Sequence, residues 1–325
     1  MNITAKLVGA GLALAGAMSL SAANDTAQAG SITQPGELVG YTWAPLPQGI
    51  YFATTGSYGN FRGLPYNGEA AVNVPVMIWS TPWTIFGGRV EAYAAVPSVA
   101  LGVRGPGPFI SAIYNPYANV GLAWDLGHGF GFSTFVGGYA PVNNALGQDF
   151  WTFNWRNGLT WSGDGWTATG HVVLGITGNN LNTGTGFAFP GSTYGFKTAP
   201  SYVNVDLALL KAIGKFSVGA VAFGSGDITS PNFIPGVTQI TGYNKQSQIA
   251  VGGFVGYDFG PVILQTYLTH DVYSKGYVTG GTTVAFTPFA IETFGSHPTY
   301  ETRFWTRLIV PLWTAPAPAP VVAKY

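Results

Sequence analysis

The 325-residue chain has no cysteine, so it holds neither a disulfide framework nor a thiolate metal site. Charge is scarce as well: Asp, Glu, Lys and Arg make up 8% of the residues, against about 25% in ordinary soluble domains. The formal net charge is zero. That excludes the positive field on which nucleic-acid binding depends, and nucleic acid is not an expected partner. Beyond the N-terminus there is no long uninterrupted apolar run, and a membrane-spanning helix needs roughly 20 such residues. What remains is rich in rings and glycine, with 15% aromatic residues and 47 glycines. Stability must therefore come from packing and backbone pairing.

The first 29 residues read as a secretory signal. Lys6 supplies the charge, Leu7 to Leu20 an apolar stretch, and Ala29 or Ala23 closes a small-residue cleavage pattern. Export to the cell outer membrane is the expected localisation. Residues 30–46 follow as a periplasmic arm or a short plug, 47–313 form the body, and the Ala/Pro-rich 314–325 reads as an extended periplasmic tail.

The body alternates apolar and polar residues with period two. Strands are predicted near 48–58, 71–80, 88–100, 115–124, 129–140, 150–161, 165–177, 201–211, 215–225, 247–258, 260–273 and 300–313. Short connections such as "SGDG" and "AIGK" alternate with long ones at 59–70, 101–114, 141–149, 178–200, 226–246 and 274–299. That rhythm predicts an all-β fold, an antiparallel outer-membrane β-barrel of about twelve strands, with ten or fourteen as alternatives. In hydrocarbon every backbone N–H and C=O must pair within the protein, which only a closed sheet achieves.

Closure makes the two faces unequal. In 201–211, Val203, Val205, Leu207 and Leu209 face one way, Asn204 and Asp206 the other. Ionisable residues elsewhere fall on the face opposite the aliphatic ones, as an Arg turned to lipid at mid-depth costs about 2–4 kcal/mol. The expected lumen lining is Arg89, Glu91, Arg156, His171, Asp206, Tyr267, Asp271, Glu301, Arg303, Trp305 and Arg307. Its mixed signs are expected to pair across the wall of a narrow conduit. Trp79, Trp83, Trp124, Trp161, Trp166, Tyr257, Phe259 and Trp313 sit beside short turns and are expected to form a periplasmic aromatic girdle against outer-membrane lipid.

Other chemistry is poorly supported. "GVRGPGPF" and "GGFVGYDFG" do not lie between a parallel strand and a helix, so they are no nucleotide loops. His171, Asp206 and Asp271 have no recognisable ligand spacing, and neither metal nor cofactor is expected. A register that brings Ser247 near His270 on the lipid side would permit a lipid-cleaving enzyme. No third orienting residue accompanies them, and the protein is not expected to be an enzyme.

The stretches "LPQGIYFATTGSYG", "VDLALLKAIGKFSVGAVAFGSGD" and "ETRFWTRLIVPLW" resemble the MetA-pathway phenol-degradation family of outer-membrane proteins, over roughly residues 47–313. The resemblance implies a porin-like or transporter-like barrel that passes small aromatic or other hydrophobic molecules. A barrel enzyme acting on lipids and a structural or adhesive surface protein remain the alternatives.

Overall fold

The structure, a computed structural model, describes residues 31–62, 68–103, 109–144, 146–179, 181, 196–230, 232–233, 238–243, 245–275, 278–284, 291–294 and 300–316. The expected signal segment, Gly30 and the tail from residue 317 onward lie outside the described residues.

Twelve strands carry the wall: β1 (Gly49–Arg62), β2 (Gly68–Ile85), β3 (Gly88–Ala95), β4 (Tyr117–Gly127), β5 (Phe130–Tyr139), β6 (Thr152–Gly163), β7 (Trp166–Thr177), β8 (Tyr202–Ile213), β9 (Phe216–Asp227), β10 (Ser247–Asp258), β11 (Ile263–Lys275) and β12 (Tyr300–Thr314). Each pairs antiparallel with its neighbour in sequence, and β12 pairs with β1 to close the ring. Closure leaves the twelve-strand wall without a free edge at its seam, which is what hydrocarbon demands.

The short turns are sharper than the sequence implied. Phe86-Gly87, His128-Gly129 and Asp164-Gly165 all have positive φ at both residues, the conformation of two-residue hairpins whose twist matches that of the strands. "PWTIFG" is thus mostly strand, since β2 runs on to Ile85. The segment 101–114 departs from the expected long loop. Ser98–Val103 and Phe109–Ile113 form a hairpin that continues the wall beside the upper half of β2. It leaves the line of β3 and β4 at Pro97 and Pro116, which lack the N–H a central ladder needs. The long connections after β9 and β11 contribute backbone to a small sheet of Thr238–Tyr243, Val278–Val284 and Ile291–Phe294.

Side chains sort by parity along each strand. Val205, Leu207, Leu209, Phe304 and Val172 are exposed on the outside, while Asn204, Asp206, His171 and Arg303 are buried inside. Among the described residues the interior holds two apolar clusters. One is built around Tyr117, Phe135, Tyr139 and Tyr202, the other around Phe223, Phe254, Tyr267 and Trp305. At the short-turn end, Trp79, Trp83, Trp166, Phe259 and Trp313 are exposed. Trp124, Trp161 and Tyr257 are half-buried there on outward positions.

Candidate functional site

The lumen is occupied by the chain's own N-terminal segment. Residues 31–40 are all buried, and the segment rises through the barrel from the short-turn end toward the long-loop end. Near the bottom, Leu46 N–H donates to Glu91 (2.8 Å) and Ser80 Oγ donates to the Leu46 carbonyl (2.9 Å). Higher up, Trp43 N–H donates to Thr160 Oγ1 (2.8 Å), and His171 Nε2 lies 3.2 Å from the Tyr41 carbonyl. At the top, Thr33 Oγ1 meets the hydroxyls of Tyr139 (2.9 Å) and Tyr202 (2.8 Å), and Asn204 Nδ2 donates to Ser31 Oγ (2.9 Å). The described residues 31–46 thus lie within the barrel and bond its inner wall, and we call this lumenal segment the plug.

Its fold is local. Gly36 and Gly40 take φ of +87° and +76°, conformations that glycine adopts without strain. Backbone bonds from Glu37 to Gln34, Val39 to Gly36 and Tyr41 to Leu38 coil the chain into successive tight turns. A Cβ on Gly36 would lie 2.8 Å from the Phe223 ring and 3.0 Å from Trp305, so the turn is pressed against aromatic faces.

The barrel grips the backbone of this turn. Asp206 accepts from the N–H groups of Gly36 and Leu38, both at 3.0 Å. Arg307 donates to the carbonyls of Glu37 (2.5 Å) and Val39 (2.6 Å) and to Thr55 Oγ1 (2.9 Å), and Tyr267 Oη donates to the Gly36 carbonyl (2.9 Å). A buried carboxylate and a buried guanidinium are thus each satisfied by hydrogen bonds, as burial away from water requires. The one plug side chain held by charge is Glu37, whose carboxylate pairs with Arg156 at 2.9 Å. Arg156 also donates to Asn154 and Tyr139 and lies over the Tyr117 ring at 4.8 Å.

The residues expected to line the lumen fall into separate groups. Glu91, Arg156, His171, Asp206, Tyr267 and Arg307 bond the plug. Asp271, Glu301 and Arg303 form a network above it: Asp271 accepts from Gln248 and from the Glu301 N–H, while Arg303 makes a two-pronged contact with Glu301 and donates to Ser57. Trp305 stacks on Tyr267 with centroids 5.1 Å apart and planes 13° from parallel. Arg89 sits near the short-turn end and donates to the Thr81 carbonyl (3.1 Å).

The expected pairing of opposite charges across the wall is not what is found. The two ion pairs among the described residues join Arg156 to the plug and Arg303 to Glu301 two residues away on β12. Sequence reasoning missed Glu37, Thr33, Tyr139, Tyr202 and Asn154. Glu37 carries the one charge in 30–46, and that was the available signal.

A family model for the MetA pathway of phenol degradation matches residues 52–287, which is most of the chain and nearly all of the barrel. The chain belongs to this family. Among solved structures, this family member is similar to the COG4313 outer membrane channel from Pseudomonas putida F1, with a TM-score of 0.60 at 10% identity, over 86% of this chain and 99% of that one. It is more distantly similar to the beta domain of the Bordetella autotransporter BrkA (TM-score 0.46, 11% identity, 82% of this chain and 100% of that one). For the Pseudomonas putida toluene transporter TodX the figures are 0.40, 10%, 87% and 96%. At these identities the likeness is one of fold. No curated protein matches the chain.

The register that would have joined Ser247 to His270 is not formed. Ser247 faces Lys275 and His270 faces Val251, because the β10–β11 ladder slips at Ile249/Ala250 and the turn spans four residues. His270 Nδ1 instead lies 2.8 Å from Thr302 Oγ1 on β12. Among the described residues no group of three His, Cys, Asp or Glu side chains is placed to hold a metal ion.

Proposed function

We propose that this protein passes small hydrophobic, chiefly aromatic, organic molecules passively across the outer membrane, and that the plug must shift for a solute to pass. The observation that carries the reading is the surface against which the plug lies. Phe254, Tyr267 and Trp305 stack in series, with centroid separations of 6.0 and 5.1 Å, and the plug covers them with glycine backbone. Ring faces of this kind offer a planar apolar solute favourable contact. Membership of a phenol-degradation family supports the aromatic class, and the similar Pseudomonas putida F1 barrel is described as an outer membrane channel. Mixed buried charges, rather than a ring of one sign, do not suit an ion-selective pore.

Liposomes containing the purified protein test this. Uptake of phenol or toluene should exceed that of protein-free liposomes, while a sugar of similar mass should not be favoured. Equal uptake of the aromatic with and without protein would remove the proposal.

A further inference from the structure

The outward face of the barrel carries a groove of about 740 Å³ on β12, β1, β2 and the Ser98–Ile113 hairpin. The strand register explains its shape. Phe304, Tyr58, Ala71, Ala100 and Ser111 lie opposite one another in one row across these strands. Thr306, Gly56, Asn73, Ser98 and Ile113 form the next. Small residues, Gly56, Ala71 and Ala100, form the floor. Phe304 and Tyr58 stand exposed at one side and Ile113 at the other.

These positions share the outward parity of the lipid-facing belt, and Glu69, which accepts from Tyr58 Oη on the same face, marks the long-loop edge of the groove. Its depth follows from the strand. Asn73 lies six residues above the girdle residue Trp79, about 15 Å along the membrane normal for a tilted strand. In an apolar band about 25 Å tall that is the outer-leaflet half.

The second row is chemically out of place there. Thr306, Asn73 and Ser98 present polar groups to hydrocarbon. Thr54 Oγ1 donates to Asn73 Oδ1 (2.7 Å), which leaves the Asn73 amide nitrogen without a protein acceptor among the described residues. A donor in hydrocarbon with no partner is strongly unfavourable. An occupant that suits both rows is an apolar chain bearing a hydroxyl or carbonyl part-way along it.

We propose that this groove holds one hydroxylated acyl chain of an outer-leaflet glycolipid, with its oxygen at Asn73. The lipid belt is continuous with the groove, and the polar row distinguishes a hydroxylated chain from a plain one. The test begins with unmutated protein in phospholipid nanodiscs, given a diazirine-bearing 3-hydroxyacyl glycolipid as the probe. Crosslinks should concentrate on peptides containing residues 71–73 and 98–100, and the analogue without the hydroxyl should label them at least threefold less. Labelling spread evenly around the belt, or equal for both probes, overturns the proposal. In protein purified from outer membranes in mild detergent, native mass spectrometry should show one retained glycolipid. Retention should fall at least tenfold in Ala71→Trp and Ala100→Trp and persist in Val205→Trp on the far wall. If all of these variants migrate as folded barrels and retain lipid equally, the groove is not the site.

Discussion

Asp206 and Arg307 hold the same turn of the plug by opposite backbone groups. The carboxylate takes the N–H groups of Gly36 and Leu38, and the guanidinium takes the carbonyls of Glu37 and Val39. These two residues read the path of the chain, while Thr33, Glu37 and the buried Ile32, Leu38, Val39 and Trp43 hold the plug by their side chains. Hydrogen bonds to charged groups are worth about 1.5–3 kcal/mol each.

Asp206→Ala is therefore expected to weaken the plugged state by about 2–4 kcal/mol once water replaces part of the loss. Brief open events in planar-bilayer recordings should become more frequent by one or more orders of magnitude. Arg307→Ala should act in the same direction, and the double variant should exceed either by less than the sum, because both act on one turn.

The Glu37–Arg156 pair is buried on both sides. Loss of one partner from such a pair costs about 3–5 kcal/mol, and replacement of both by apolar residues far less. Arg156→Met should lower the temperature at which the folded band converts to the unfolded one on a detergent gel. Adding Glu37→Leu should recover much of the drop. A double variant as unstable as the sum of the singles would show that the pairing is not what matters.

Gly36→Ala places a methyl group at φ +87° and within 3 Å of Phe223. The combined strain and crowding amount to about 1–3 kcal/mol. Near-UV circular dichroism from the Phe223–Trp305 cluster should change and conductance should rise. Gly253→Ala, where an added Cβ meets nothing within 4 Å, should change neither.

Parity has its own test. Leu207→Arg turns a charge to lipid and should destabilise the barrel by about 2–4 kcal/mol in a urea titration in bilayers. Leu207→Phe should be close to neutral.

The wall was legible in the sequence because lipid enforces it. A side chain on the wrong face of β8 or β12 is penalised directly, so Val205, Leu207 and Phe304 announce the outside, and Asp206 and Arg303 the inside. The plug was not legible to the same degree. Asp206 and Arg307 bind its peptide groups, which every residue carries, so nothing in "SITQPGELVGYTW" reveals that those two will bind it. The alternation runs one strand from 88 on to 100 and leaves the Gly- and Pro-rich 101–114 as a loop, whereas the chain turns at Pro97 and Pro116 and forms a hairpin of Ser98–Val103 and Phe109–Ile113. Ser247 and His270 were misjudged for a similar reason. The four-residue turn sets His270 opposite Val251, and a slip at Ile249/Ala250 moves the partner of Ser247; no residue type marks where a ladder will slip.

The central claim is that the lumen is a passage closed by residues 31–46, and deletion of residues 31–44 tests it most directly. Single-channel conductance and liposome uptake of phenol should be compared between the intact protein and the deletion, with folding of both verified by heat-modifiable migration. A plugged passage predicts that the folded deletion conducts in large, long-lived steps and takes up phenol faster than the intact barrel. A folded deletion with unchanged conductance and unchanged uptake would contradict it.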